Sequence, residues 1–430
     1  MDIKQRIEEI YPELVEIRRD FHRHPEPGFE EKWTSARIRE LLDGWGISYE
    51  YPVAGTGIAA MIQGSRPGRG NTVALRADMD ALPLTENPAC PYGSMNPGFM
   101  HACGHDAHVS IALGAARILR ECKAEWSGCM KFFFQPAEET TGGALPMVKA
   151  GCMEEPHVDY VIGLHVMPTH ESGEIEIRYG DLNASSDHIH IKLRGKSCHG
   201  AYPDTGVDAI VMAAAVINSL QVLVSRCISP LDNGVLTIGT ICGGTAGNIV
   251  AGEVEMTGTL RTTDRMVRQN IIDTMTRMVK CTCQAMGGNG EVTVTPGYAA
   301  LINTDQVVDV LVETASDIIG EEHIHWKKCP SMGVEDFSFF LDKAKGVFYH
   351  LGCASRRKKI TAPLHSQDFD MDETCLKLGV EMQTRLALRL LEREVNPTIS
   401  GLTASPVSSK KSQGIHVPGF FACYLPGRML

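Results

Sequence analysis

The chain has 430 residues, too many for one average domain, so two are the starting expectation. Its 41 basic and 52 acidic side chains leave a formal charge of −11, which argues against nucleic acid or an anionic membrane surface as partner. With 43% hydrophobic and 22% charged residues it has the make-up of a soluble globular protein, and no apolar run is expected to reach the ~18 residues of a membrane span.

Residues 1–44 read as helical, with Ile3, Ile7, Ile10, Leu14 and Ile17 at helical spacing and no apolar core of a signal peptide. Together with fourteen cysteines in no regular framework, this predicts a cytoplasmic protein with reduced thiols. Residues 57–63 and 71–77 are short β-rich runs that read as a pair of strands. A helix is expected over 109–119. Residues 129–134 and 160–165 are apolar runs of the kind found in buried central strands, the second ending at His165. The sequence motifs that follow these strands lie where open α/β sheets place their sites. From about Asn183 the pattern changes: strands at 188–193, 234–241, 253–261 and 290–295 alternate with helices at 207–224 and 264–286. That β-α-β-β-α-β order predicts a ferredoxin-like module inserted into the larger domain, which resumes near Pro296. The expected division is 1–183 and 295–394 for the larger domain and 184–294 for the insert. Residues 395–430 contain four prolines and no Asp or Glu, and read as a disordered or weakly docked tail.

Chemistry concentrates in a few stretches. Met100-His101-Ala102-Cys103-Gly104-His105-Asp106-Ala107-His108 packs three His, a Cys and an Asp into nine residues. Cys103 and His105 flank a glycine, a spacing that lets a turn aim both at one ion. Gln135-Pro136-Ala137-Glu138-Glu139 follows a Phe-Phe-Phe run, so its carboxylates end a buried strand. One, Glu139, is a candidate metal ligand, while Glu138 beside it can hold and deprotonate a water. His165 and His365 complete a thiolate, imidazole and carboxylate set suited to borderline divalent metals. Asp78 and Asp80, in Arg76-Ala77-Asp78-Met79-Asp80, are expected to orient ligating imidazoles. In the insert, His199 sits in a Gly-flanked loop from which it could reach across a cleft to an oxyanion. Cys198 is not its nucleophile partner, because adjacent strand residues face opposite ways. Asn248, in a glycine-rich turn without the Lys of a phosphate loop, and Arg261 are candidate contacts for a substrate carboxylate. Cys281 and Cys283 are read as helix core.

The set Arg-Ala-Asp-Met-Asp-Ala-Leu-Pro (76–83), Met-His-Ala-Cys-Gly-His-Asp-Ala-His, Gln-Pro-Ala-Glu-Glu and Ser-Met-Gly-Val-Glu-Asp-Phe-Ser-Phe (331–339) resembles the aminoacylase-type metallo-amidohydrolases. The branch is that of hippurate hydrolases, indole-acetyl-amino-acid hydrolases and N-acyl-amino-acid amidohydrolases, and the likeness runs from about residue 5 to 394. It implies an α/β protein: a larger α/β/α, zinc-peptidase-like catalytic domain with an inserted ferredoxin-like α+β lid and dimerisation domain. It further implies two divalent ions (Mn, Zn, Ni or Co) held by Cys103, His105, Glu139, His165 and His365, with Glu138 as general base. His199 takes the place of a lid histidine that, in dimeric relatives, reaches the partner subunit's site; a homodimer or larger homo-oligomer is the implied assembly. Two departures lie on the substrate side: Tyr202-Pro203-Asp204 where Pro-His is frequent, and Ile249-Val250-Ala251 where Val-Ile-Pro is.

The expected activity is metal-dependent cleavage of N-acyl amino acids to a carboxylic acid and a free amino acid. Alternatives on the same site are an N-acetyl-diaminopimelate deacetylase or a short-peptide peptidase. A non-catalytic acyl-amino-acid binding protein would not need Glu138 beside the metal.

Overall fold

Residues 1–44 are helical as expected, in two helices, α1 (Ile3–Arg23) and α2 (Lys32–Gly44). Asp2 caps α1 by accepting a hydrogen bond from the Gln5 N–H. The break falls at His24-Pro25-Glu26-Pro27-Gly28, where two prolines supply no helix-forming N–H. The computed structural model describes residues 1–87 and 90–393, so the tail expected over 395–430 lies outside the described residues.

After α2 come β1 (Ser48–Val53), β2 (Gly57–Gln63), β3 (Thr72–Asp78), α3 (His105–Glu121), β4 (Cys129–Gln135), α4 (Ala144–Lys149), β5 (Tyr160–Glu171), β6 (Ile175–Ile177) and β7 (Gly180–Asn183). Then follow β8 (Ser185–Arg194), β9 (Cys198–His199), α5 (Ala209–Arg226), β10 (Gly234–Gly243), β11 (Ile249–Val250), β12 (Glu253–Thr262), α6 (Arg265–Ala285) and β13 (Asn289–Pro296). The chain continues with β14 (Leu301–Asn303), α7 (Asp305–Ile319), β15 (Ile324–Trp326), α8 (Ser338–Leu341), β16 (Lys345–Ala354) and α9 (Cys375–Glu392).

The large sheet has the order β1-β2-β4-β3-β5-β16-β6-β15. β2 and β3 both form but do not pair: β4 lies between them, antiparallel to β2 and parallel to β3. The reason is burial. Every residue of β3 and β4 is buried, whereas β2 has exposed positions. A strand apolar on both faces belongs in the middle of a sheet covered by helices on each side. Alternate residues of these strands serve opposite cores. Leu75, Phe132, Phe134, Ile162 and Tyr349 pack with α1, α3 and α9. Ala74, Phe133, Val161 and Phe348 pack instead with Met147 of α4 and Phe337 and Phe340 at α8. This gives an α/β/α layering.

The second sheet, β10-β12-β8-β13, is antiparallel throughout, and α5 and α6 share a separate core with it. Its β-α-β-β-α-β order is the ferredoxin-like one. α5 is 18 residues long with a mean hydropathy of 1.6, long and apolar enough to cross a membrane. One of its faces, with Met212, Val216, Leu220 and Leu223, is buried in the module's core, while Ile210 and Val211 are about half exposed. Cys283 joins that core, but Cys281, expected there too, is exposed, because residues two apart on a helix do not share a face.

Candidate metal centre

The site lies where β3, β4 and β5 meet the loop opening α3. Gly104, at the N-cap of α3, has φ 88°, and a Cβ there would come within 2.3 Å of Val166 Cγ2. Only glycine lets the Cys103–His105 turn lie this close over β5. Two non-glycine residues at the site also hold left-handed backbone: Ala137 (φ 56°), just before the Glu138–Glu139 pair, and His365 (φ 60°). Such conformations cost of order 1–3 kcal/mol and persist when their surroundings fix them. The Ala137 N–H donates to the buried Glu31 carboxylate at 2.9 Å, and the His365 N–H donates to Ala102 O at 2.8 Å.

All five expected ligands come together. Cys103 Sγ lies 3.2 Å from His165 Nε2 and 3.3 Å from His365 Nε2. Glu139 Oε1 is 3.1 Å from His365 Nε2 and 3.9 Å from His105 Nε2. His165 is not at a strand end as expected, since β5 runs on to Glu171. Its ring is presented from mid-strand, with Nδ1–H donating to Val166 O at 2.6 Å. Asp80 orients two others: its backbone O and Oδ1 lie 2.9 and 3.2 Å from His105 Nδ1, and its Oδ2 accepts the Glu139 N–H at 3.0 Å. These bonds leave Nε2 of His105 and His165 as the nitrogens directed at the cluster.

Asp78, expected to orient a ligand, does so at one remove. Its Oδ1 accepts from His108 Nδ1 at 2.6 Å and its Oδ2 lies 3.5 Å from His105 Nε2. His108 Nε2 accepts the Val166 N–H at 2.9 Å, which occupies its second nitrogen and ties α3 to β5.

The buried donor set fits a metal. His105 Nε2 and Glu139 Oε1 are buried without a hydrogen-bond partner, though each faces other polar atoms within 4 Å. Unpaired buried groups of this kind cost about 1–3 kcal/mol each, and a cation between them removes that cost. Burial pushes the Cys103 thiol well up and the His165 imidazole well down. Burial also opposes ionisation of Glu139, but His365 and His105 outweigh it and bring the carboxyl down to about 2. A buried thiol poised this way needs a cation to become the thiolate ligand.

The cluster forms one end of a cavity of about 1030 Å³, which Glu138, Arg261 and Tyr298 also line. The Glu138 side chain accepts no hydrogen bond from the described residues, while its backbone O accepts from Tyr298 OH at 2.9 Å. Burial, then Glu335, Asp336 and Glu139, push its pKa well above the usual carboxylate range. His199 and Asn248 do not line this cavity. They adjoin each other on the second sheet's side, where His199 is opposite Ile249 in the β9–β11 pair and the Gly200 N–H donates to Asn248 O at 2.8 Å.

Beneath the site sits a buried charge network that motif reading overlooked. Arg76 donates to Gln135 Oε1 (2.8 Å), Asp78 Oδ2 (2.8 Å), Glu335 Oε1 (2.9 Å) and Asp336 Oδ1 (3.0 Å). The available signal was an Arg inside an otherwise apolar strand, which demands buried anions.

The chain as a whole is similar to known proteins. The model for peptidase family M20/M25/M40 matches residues 74–389. The chain belongs to that family. It is 41% identical over 307 residues to an N-acyl-L-amino acid amidohydrolase of Geobacillus stearothermophilus, covering 71% of this chain and 82% of that one. It is 38% identical over 391 residues to thermostable carboxypeptidase 1 of Saccharolobus solfataricus, covering 90% and 98%. Among solved structures, a Bacillus subtilis protein described as a dinuclear metal-binding peptidase of the M20 family superposes with a TM-score of 0.78 at 31% identity, covering 90% and 99%. The chain is a metal-dependent hydrolase of amide bonds with the expected fold, an α/β catalytic domain carrying a lid.

Proposed function

We propose that the chain hydrolyses N-acyl amino acids to a carboxylic acid and a free amino acid, with Cys103, His105, Glu139, His165 and His365 holding two divalent ions. The observation that carries this reading is the side-by-side pair at the end of β4. Glu139 Oε1 is unpartnered within the donor cluster, while Glu138 lines the same cavity with a carboxylate that accepts no hydrogen bond among the described residues. Bound there, the ions would lower the pKa of a water and polarise the scissile carbonyl. Glu138 holds the attacking water, takes its proton and delivers it to the departing amine nitrogen. Arg261, on the cavity wall, pairs with the amino acid carboxylate, and Asn248 approaches the substrate from a partner chain.

The test is amine release from N-acetyl, N-benzoyl and N-indoleacetyl amino acids, N-acetyl-diaminopimelate and a dipeptide, using protein stripped by chelator and reloaded with Mn, Zn, Ni or Co. Metal-dependent release from the simple N-acyl amino acids is expected to exceed that from the other two substrates. No release with any metal, from folded protein shown to hold two ions, would overturn the reading.

His199 acts in trans in this proposal, donating to the oxyanion in the partner's cavity within a homodimer. It is exposed, does not line its own chain's cavity, and belongs to the module whose α5 shows Ile210 and Val211 to solvent. Equal amounts of His199→Ala and Glu138→Gln chains, each nearly inactive alone, should together regain about a quarter of wild-type activity. Half the dimers then carry both chains, and one of the two sites in each is intact. Failure to regain activity in dimers shown to exchange would place His199 in cis or outside the reaction.

A further inference from the structure

A second cluster repeats, at the outer edge of the large sheet, the signature of the Cys103 centre. His170 lies near the end of β5, Glu174 in the turn between β5 and β6, and His325 on β15. β15 runs parallel to β6 with His325 opposite Glu176. The His170 and His325 rings stack with centroids 4.9 Å apart and planes 26° apart. One nitrogen of each ring and one Glu174 oxygen all lie within 4.8 Å of one another.

His325 Nε2 decides the reading. The ring is 40% exposed, yet Nε2 itself is buried, lies 3.2 Å from Glu174 Oε2, and makes no hydrogen bond. In a plain His–Glu ion pair the N–H would point along the line to the oxygen. His325 Nε2 is thus a buried ring nitrogen left without a hydrogen bond beside a carboxylate, an atom that a cation would satisfy. In the Cys103 centre Glu139 Oε1 is likewise buried without a hydrogen bond, 3.1 Å from His365 Nε2. Glu174 Oε2 is itself fixed, accepting the Glu171 N–H at 3.1 Å, as an outer-shell donor fixes a ligating carboxylate. Glu176 Oε2 accepts from His350 Nδ1 at 2.7 Å and Lys327 Nζ at 3.1 Å, while its Oε1 lies 3.6 Å from His170 Nε2, on the rim of the cluster. The Lys327 charge is thus balanced by Glu176, and Glu174 remains for a cation.

We propose that His170, Glu174 and His325 hold a further divalent ion, distinct from the Cys103 centre. Two imidazoles and one carboxylate select a borderline ion such as Zn²⁺, Co²⁺, Ni²⁺ or Cu²⁺ over Mg²⁺ or Ca²⁺. Ligands at ~2.0–2.2 Å around a tetrahedral ion lie ~3.3–3.6 Å apart, and the three donor atoms here already lie within 4.8 Å of one another. The fourth position is left to water or to a ligand anion. His170 also lines the large cavity, so the ion adds positive charge to the wall of the same chamber.

The test is Co²⁺ loading of the full chain after chelation, read by elemental analysis and absorption. Wild type should hold one more Co²⁺ per chain than His325→Ala and Glu174→Gln. The missing ion should carry only weak visible bands, with the near-ultraviolet thiolate-to-cobalt band of the Cys103 centre unchanged. Cys103→Ser should lose that band and keep the His325-dependent ion. Equal Co²⁺ content in wild type and His325→Ala overturns the proposal, as does loss of the thiolate band in a folded His325→Ala chain. The comparison is a difference between chains, so it does not depend on how many ions the Cys103 centre takes; failure of that centre's reading shows separately, as a missing thiolate band in wild type.

Discussion

Glu138→Gln is expected to lower kcat by about 10²–10⁴, the contribution of a positioned general base, equivalent to roughly 3–5 kcal/mol of transition-state stabilisation. Gln is close to isosteric, so the backbone bond from Tyr298 OH to Glu138 O should survive. Among the described residues Glu138 shares no hydrogen bond or ion pair with Cys103, His165 or His365, whose distances to one another and to Glu139 define the cluster. Metal content should therefore stay at the wild-type level and KM should change little, which separates loss of a base from loss of an ion. Glu139→Gln should do the reverse, lowering metal content first, because its Oε1 is the unpartnered oxygen within the cluster. Near-normal turnover by a folded, fully metallated Glu138→Gln chain would sink the assignment.

Residue type and spacing exposed the centre in the sequence because its chemistry is local. Cys103 and His105 flank a glycine whose φ of 88° lets them share a turn, and Glu138 and Glu139 adjoin. Relations that depend on sheet order were hidden. β2 and β3 look like a hairpin, but β4, sixty residues on, takes the place between them because both its faces are apolar. His165 looked like a strand terminus because the apolar run stops there, whereas β5 continues through half-exposed residues to Glu171. His108 stands in the densest motif, yet both its nitrogens are used by Asp78 and the Val166 N–H, which no spacing rule separates from metal ligation. Arg76 and the Glu335–Asp336 pair each lie within a recognisable motif. Their pairing across 259 residues was readable only as an unmet need: a buried guanidinium must find carboxylates somewhere.

Arg76→Met should destabilise the fold by about 3–5 kcal/mol, the usual result of removing one partner from a buried ionic network. Met fills similar volume without voiding the core, so the loss is electrostatic. It strips Asp78, Glu335 and Asp336 of their shared cation, and the Arg76, Asp78 and Asp336 side chains are all fully buried. Arg76→Lys should recover part of the loss, because one ammonium cannot reproduce a fork that reaches four acceptors at 2.8–3.0 Å. The defect should also depend on pH. Burial already holds Glu335 up at about 8 with Arg76 only partly offsetting it, and Asp336 is raised as well. A carboxyl with a folded pKa above its unfolded value favours folding while protonated, and that contribution fades as pH rises through the folded pKa. Removing the guanidinium raises both values further, so the penalty should be smallest near pH 4.5 and grow toward pH 8 and above. Denaturant titrations of wild type and Arg76→Met across that range test this; a constant difference would mean that packing, not charge, sets the cost. The consequence reaches the reaction, since Asp78 holds His108, and His108 ties α3 to the strand bearing His165. Metal affinity in the folded fraction of Arg76→Met should therefore fall although Arg76 touches none of the five ligands.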